Sequence, residues 1–465
     1  MPSIALRPCR LQDTTHLVSV EAQCGRLDVP ENPKAPRGRR IALFVARVPA
    51  ISLRKRPDPL FLLAGGPGQA ATAFYPEVAP AFARIHRDRD IILVDQRGTG
   101  RSNGLYCRFA GGSAPPSPKQ LAPLARECLT ALSRHADVAF YTTTLAAGDL
   151  DRVRAALGYR RIDLYGVSYG TRLAQEYLRR FPGRVRSVIL DGPVPPEAAL
   201  GARLPLDAQA ALDRIFARCA RDRGCRERFG DAAAASRSLL ASLAKHPQAV
   251  TLANPTTGEP ATVSFTAAHL ETVLRLSTYT SEQAALLPLL IHEASAHSDF
   301  APLAAQYLLL SRTYGNAIAD GMQYTVVCTE DEPLYGRESL DRARLKQTFL
   351  GTRQIDALKS VCSVWPHGPI DPRFHAPLDS DVPVLLLAGA DDPVTPPAYA
   401  EEAARGLPHH LLVVLRGMGH GQLTTPCVGG LMAQFLEHAS TRIDTACTRR
   451  ARAFPFFMSF AGPSP

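Results

Sequence analysis

No stretch of the 465 residues approaches the ~20 consecutive apolar residues that span a bilayer. The longest apolar runs, such as Val382–Ala388, have the length of buried strands, so no stable membrane insertion is expected. There is no stripe of Lys or Arg interleaved with aromatics, as a nucleic-acid groove would need. The net charge of +10 therefore reads as a solvated basic surface, carried almost wholly by arginine and scattered except at Arg37–Arg40 and Arg54–Arg56. No Cys-x-x-Cys occurs, which argues against a thiol-based metal or redox site. A zinc helix motif is also missing. In His292-Glu293-Ala294-Ser295-Ala296-His297 the second histidine is five residues on rather than four, so the imidazoles are expected to diverge around a helix and no metal is expected. Met1–Arg10 has no charged segment followed by an apolar one, so no signal peptide is visible.

The cysteines that are present argue the other way about compartment. All 10 fall in neighbouring couples: Cys9 and Cys24, Cys107 and Cys128, Cys219 and Cys225, Cys328 and Cys362, Cys427 and Cys447. Up to five local disulfides are expected, and with them an oxidising compartment. The expectation is a periplasmic or secreted protein whose leader lies upstream of Met1, with a cytoplasmic protein of buried thiols as the alternative. The oligomeric state is left open.

Hydrophobic residues at 46% and charged residues at 21% describe an ordinary globular chain, too long for one core. Short apolar runs read as strands: Ile41–Val48, Leu60–Ala64, Ile91–Val94, Ile162–Tyr165, Val185–Leu190, Val384–Ala388 and Leu411–Leu415. Helical patterns at Thr144–Leu157 and Thr171–Phe181 lie between some of them, the second ended by Pro182. Such alternation implies an α/β fold, a mostly parallel sheet covered by helices on both faces. It breaks after Asp191–Pro196. The stretches Leu206–Cys219, Ser236–Leu243, Ala267–Leu276, Ser281–Ala296, Ala301–Thr313 and Ser339–Phe349 then read as helices of an inserted cap. The expected division is a first core part over 1–193, a helical cap over 194–381 and a second core part over 382–465. Gly111–Pro118 reads as a loop, and Ala451–Pro465 has no assignment.

Gly166-Val167-Ser168-Tyr169-Gly170 lies between a strand and a helix. A Gly-x-Ser-x-Gly in that context is a nucleophile elbow: the glycines relieve crowding in a sharp turn that lifts the serine hydroxyl above the sheet. A serine hydroxyl needs a base, and in the α/β-hydrolase fold the acid and then the histidine follow in the chain. Strand Val384–Ala388 leads to Asp391 and Asp392, both candidates for the acid. Asp392 is favoured because it precedes Pro393 and so sits in extended or turn backbone. Leu411–Leu415 leads to Gly419-His420-Gly421, which makes His420 the expected base. The oxyanion donors are expected from the backbone of Tyr169 and from Gly66, in the Gly65-Gly66-Pro67-Gly68 loop after Leu60–Ala64. The chemistry needs no cofactor.

These motifs, with Asp95-Gln96-Arg97-Gly98-Thr99-Gly100 and Asp392-Pro393-Val394-Thr395-Pro396, resemble the tripeptidyl aminopeptidase and proline iminopeptidase group of α/β-hydrolases. Cys24-Gly25-Arg26-Leu27-Asp28-Val29-Pro30, Cys219 to Cys225, Val326-Val327-Cys328-Thr329-Glu330-Asp331-Glu332 and Cys427 to Cys447 are similar to the tripeptidyl branch in particular. The resemblance spans nearly the whole chain. It implies an exopeptidase that releases residues or short peptides from free N-termini through an acyl-enzyme, and export from the cell. It also implies a cap carboxylate for the substrate ammonium, with Glu330 first, then Asp331 and Glu332. Ala64 stands where proline iminopeptidases usually carry histidine, which weakens the single-proline reading. The alternative is an esterase or amidase using the same residues on small non-peptide substrates.

Overall fold

The computed structural model describes residues 3–107, 116–335 and 341–463. Residues 111–115 of the expected Gly111–Pro118 loop, and the first two residues of the expected Ser339–Phe349 helix, lie outside them. Every strand expected from the sequence enters one nine-stranded sheet. In chain order its members are β1 (Arg7–Gln12), β2 (Ser19–Pro30), β3 (Arg40–Val48), β4 (Leu60–Leu63), β5 (Ile91–Val94), β6 (Ile162–Val167) and β7 (Val185–Asp191), with two more after a long insertion. That insertion carries β8 (Gln248–Ala253) and β9 (Pro260–Phe265), and the sheet resumes with β10 (Val384–Gly389) and β11 (His410–Leu415). The spatial order is β1-β2-β3-β5-β4-β6-β7-β10-β11. The first three strands and β5 pair antiparallel, and from β5 through β11 all neighbours are parallel.

The inner parallel strands are buried on both faces, which is why they read as unbroken apolar runs. Alternate residues feed two separate cores. Leu164, Leu190 and Leu386 pack on one face, and Tyr165, Ile189 and Leu387 on the other. The order in which the chain lays down its parallel strands reverses between β4 and β6. A crevice therefore opens at their carboxyl ends, where open α/β sheets bind ligands. Both glycine motifs, after β4 and after β6, end there.

The insertion departs from expectation in two ways. It is not wholly helical, because β8 and β9 form an antiparallel hairpin. Nor is it one body. Helices Leu204–Arg221, Ala232–Leu243, Ala267–Ser277, Ser281–Ala296 and Ala301–Ala317 build cores with the hairpin and one another. From Ala319 onward the chain returns to the main core, where Met322, Val326, Cys328, Val361, Cys362 and Trp365 pack with Leu132 and Tyr141. Apolar residues at helical spacing decide that return, and the Cys328–Cys362 disulfide closes it.

All five couples of cysteines are bonded as their spacing suggested. Cys9 is joined to Cys24 and Cys107 to Cys128, with Cα–Cα distances of 5.8 and 5.3 Å. Cys219 is joined to Cys225, Cys328 to Cys362 and Cys427 to Cys447, at 5.3, 5.0 and 6.2 Å. Cys128 is buried on helix Pro118–Leu132 and packs in the main core, so its bond ties that helix to the end of the loop that follows β5. No described helix is long and apolar enough to cross a membrane.

The unassigned C-terminal segment crosses from core to cap. Phe454 N–H donates to Ser281 Oγ at 2.7 Å, Arg218 Nη1 donates to the Phe454 carbonyl at 2.9 Å, and the Arg218 guanidinium lies 4.0 Å from the Phe456 ring centre.

Candidate active site

The turn after β6 is tight because nothing larger than glycine fits it. A Cβ at Gly166 would strike the Gly170 carbonyl, and one at Gly170 would strike the carbonyls of Leu63 and Ala64. Between them Ser168 adopts φ 55°, ψ −126°, a strained conformation for a residue with a side chain. Its N–H donates to the Asp191 carbonyl at 2.9 Å. Helix Tyr169–Arg180 starts immediately after it, so its N-terminal dipole end lies beside the serine. Gly65 packs on the same residue: a Cβ there would come within 3.1 Å of Ser168 Cβ and 3.7 Å of its Oγ. Gly66 has φ +106°, open to glycine and strained for other residues. The glycine loop is braced from outside, since Ala319 N–H donates to the Gly68 carbonyl at 3.0 Å.

Asp392 and His420 come from the loops after β10 and β11. His420 Nδ1 lies 2.8 Å from Asp392 Oδ2. Asp392 has no exposure, and its Oδ1 accepts the N–H groups of Val394 and Thr395 at 2.7 and 2.8 Å. Thr395 Oγ1 donates to Oδ2 at 2.9 Å and lies 3.2 Å from His420 Nδ1. Burial alone would raise the Asp392 pKa, but the adjacent imidazole and these donors hold it below the usual carboxylate value. For His420 burial disfavours the cation, yet Asp392, assisted by Asp191, lifts its pKa above the usual imidazole value. Asp391 points elsewhere and pairs with Arg214 at 3.0 Å near the surface.

The histidine loop is seated by the cap as well as the core. His420 N–H donates to the Tyr279 carbonyl at 2.7 Å, and the Tyr279 ring stands edge-on to the imidazole, centres 5.3 Å apart. On the other side, a side chain at Gly192 (φ +61°) would come within 3.3 Å of His420 Cε1. The loop lies beside the elbow strand, since a Cβ added at Gly421 would reach van der Waals distance, 3.7 Å, of Val167 Cγ2.

Tyr169 is buried, and its hydroxyl joins a chain that ends on Glu330. Gln96 Nε2 donates to Tyr169 Oη at 2.9 Å, Tyr169 Oη and Thr143 Oγ1 lie 2.6 Å apart, and Thr143 Oγ1 donates to Glu330 Oε2 at 2.7 Å. Thr143 N–H donates to Glu330 Oε1, also at 2.7 Å. Glu330 has zero exposure, and burial pushes its pKa up to about 8. Asp331 is ion-paired with Arg172 of the elbow helix. Both acids lie in a π-helical turn, Val327–Asp331, that also carries Cys328.

The two cap histidines differ from expectation. His297 is the C-terminal cap residue of its helix rather than part of it, and the His292 and His297 rings lie 5.4 Å apart. No group of three or more His, Cys, Asp or Glu that could hold a metal occurs among the described residues. Asp191, Thr395 and Tyr279 were not singled out from the sequence. Asp191 carried a signal in Asp191-Gly192-Pro193 at a strand end, whereas nothing local marks Tyr279.

A serine in a strained strand–turn–helix at the switch point of this sheet, with a buried Asp–His pair on the following loops, is the arrangement of an α/β-hydrolase. The comparisons agree. Residues 58–264 match a family model described as alpha/beta hydrolase fold, and residues 347–447 match one described as TAP-like protein. The chain is 27% identical to Serine protease Hip1 of Mycobacterium tuberculosis, over 87% of this chain and 83% of that one. It is 32% identical to the Tripeptidyl aminopeptidase of Streptomyces lividans, over 42% of this chain and 38% of the relative. It is also 27% identical to a Mycobacterium tuberculosis protein named Carboxylesterase B, over 87% of this chain and 82% of that one. The chain is a hydrolase with the α/β-hydrolase fold, and it is similar to the tripeptidyl aminopeptidase group.

Proposed function

We propose that the protein is a serine exopeptidase acting on free peptide N-termini. Ser168 attacks the scissile carbonyl and His420 takes its proton. Asp392 fixes the imidazole tautomer and stabilises the imidazolium that forms. The backbone N–H groups of Gly66 and Tyr169 receive the oxyanion. An acyl-enzyme forms as His420 protonates the leaving amine, and water then releases the acyl group. The observation that carries this reading is the hydrogen bond between the fully buried Asp392 and His420, on loops at the carboxyl end of the sheet beside the strained Ser168. The names of the Hip1 and tripeptidyl aminopeptidase relatives support the peptidase choice. The five disulfides support a periplasmic or secreted location.

An unblocked tripeptide, a single unblocked amino acid and an N-acetylated tripeptide on one chromogenic amine test the reading, beside a nitrophenyl ester. Cleavage of unblocked peptides is expected, and acetylation should lower kcat/KM about a hundredfold, the scale of a buried charge left unpaired. Ester turnover without peptide cleavage would leave a capped esterase, the reading favoured by the Carboxylesterase B likeness.

The ammonium needs a carboxylate partner, for which the sequence offers Glu330. Both its oxygens accept from Thr143 and the residue has no exposure, so substrate contact requires its surroundings to open. Glu330→Gln separates two roles. An amine-binding role predicts that KM for unblocked peptides rises about tenfold or more, out of proportion to any change on the ester. An anchor for the elbow, acting through Thr143 and Tyr169, predicts instead that kcat falls alike on both substrates.

A further inference from the structure

Asp191 ends β7, on a different strand from the acid loop, and is completely buried. Its main chain and side chain hold different parts of the site. The carbonyl accepts the Ser168 N–H at 2.9 Å, on the elbow. The carboxylate accepts the N–H of Gln422, two residues past His420, at 3.0 Å on Oδ1 and 2.9 Å on Oδ2. The Tyr165 hydroxyl of β6 donates to Oδ2 at 2.8 Å. One residue therefore ties the serine turn to the histidine loop. Gly192, its neighbour, lies against the imidazole with no side chain between them.

A buried carboxylate with no cationic side chain bonded to it is costly to retain for packing alone, since an uncharged acceptor would satisfy the same two donors. What the uncharged acceptor lacks is a field. We propose that Asp191 is a positioning residue for His420, a second anion that sets the seat of the histidine loop and favours the imidazolium formed during the reaction. The inference rests on the serine-hydrolase reading of Ser168 and His420. It assigns Asp191 no contact with substrate and no proton transfer. Asp392 orients the ring through Nδ1, whereas Asp191 acts through the backbone behind the ring and through space.

The other groups facing this centre are few. Asp392 comes from the loop after β10, Tyr279 from the cap and Tyr165 from β6. Asp207, on helix Leu204–Arg221, acts on Asp392. Burial lifts the Asp191 pKa to about 6, resisted first by the Gln422 N–H, so the carboxylate is charged where a neutral His420 works.

The test is the pH dependence of fluorophosphonate labelling in the full chain with disulfides formed, which depends on Ser168 and a neutral histidine but not on the identity of the substrate. Labelling falls as pH drops through the pKa of His420. Asp191→Asn keeps an acceptor for Gln422 and a partner for Tyr165 but removes the charge. The imidazolium is then less favoured, its pKa falls, and the acid limb should move at least about one pH unit lower, the effect of a unit charge within about 12 Å at an effective dielectric of about 20. A purely structural role would lower the plateau and leave the limb in place, and that result in a folded variant overturns the inference. If Asp191→Asn does not fold, Tyr165→Phe decides. It deprives the carboxylate of one donor, so the anion is lost at higher pH and the limb should shift in the same direction; an unmoved limb overturns the inference. Labelling that survives Ser168→Ala overturns the serine-hydrolase reading and this inference with it. Labelling confined to Ser168 with an unmoved limb overturns this inference alone.

Discussion

Ser168→Ala is expected to lower kcat by about 10⁵–10⁶-fold on every substrate the protein turns over, the loss seen when a nucleophile that works as a unit with its base is removed. The change deletes one oxygen at a half-buried position and keeps the backbone, so the fold should persist. Alanine has no more difficulty than serine at φ 55°, and the Ser168 N–H keeps its bond to the Asp191 carbonyl. Residual turnover of about 10³–10⁴ over water would come from the oxyanion donors and from binding. Measured by burst and steady-state kinetics beside a thermal melt, an unchanged melt with near-wild-type turnover would remove Ser168 from the mechanism.

The second large effect separates the two adjacent aspartates. Asp392→Asn should cost about 10⁴-fold in kcat, because an amide facing Nδ1 favours the wrong imidazole tautomer. Asp391→Asn should cost less than about twofold, because its partner Arg214 makes a surface ion pair worth ~0–1 kcal/mol to stability. The pH profile supplies a second readout. Asp392 outweighs burial and raises the pKa of His420, so kcat/KM in the wild type should lose activity as pH falls through a value above 6.5. Removing that anion lowers the imidazole pKa, so the surviving activity of Asp392→Asn should extend to more acid pH. Equal losses in the two variants would show that the loop is damaged as a whole and that neither carboxylate has the assigned role.

Much of the sheet was legible because parallel strands buried on both faces, such as Leu60–Leu63 and Ile91–Val94, leave unbroken apolar runs. The edge strand Arg7–Gln12 and its neighbour Ser19–Pro30 were not anticipated, because the first is mostly exposed and the second mixes charged with apolar residues. The hairpin Gln248–Ala253/Pro260–Phe265 was hidden for the same reason. The elbow could be placed from sequence since its glycines flank a serine between a strand and a helix, one answering a steric demand inside the turn and the other the close approach of β4. The choice of Asp392 over Asp391 rested on Pro393 alone, whereas the structure distinguishes them by partner: His420 for one, Arg214 for the other. Long-range neighbours left little trace. Tyr279 meets His420 only because the cap folds back, and Asp191 meets Gln422 only because β7, β10 and β11 lie side by side.

The chain order of these parts gives the protein a built-in delay. The elbow is made first, the cap second, and the histidine loop third. The histidine's backbone N–H finds its acceptor on the Tyr279 carbonyl, in a layer with a core of its own. A half-made chain therefore has a serine with no working base. Only the completed tertiary assembly brings the serine, the base and the acid together.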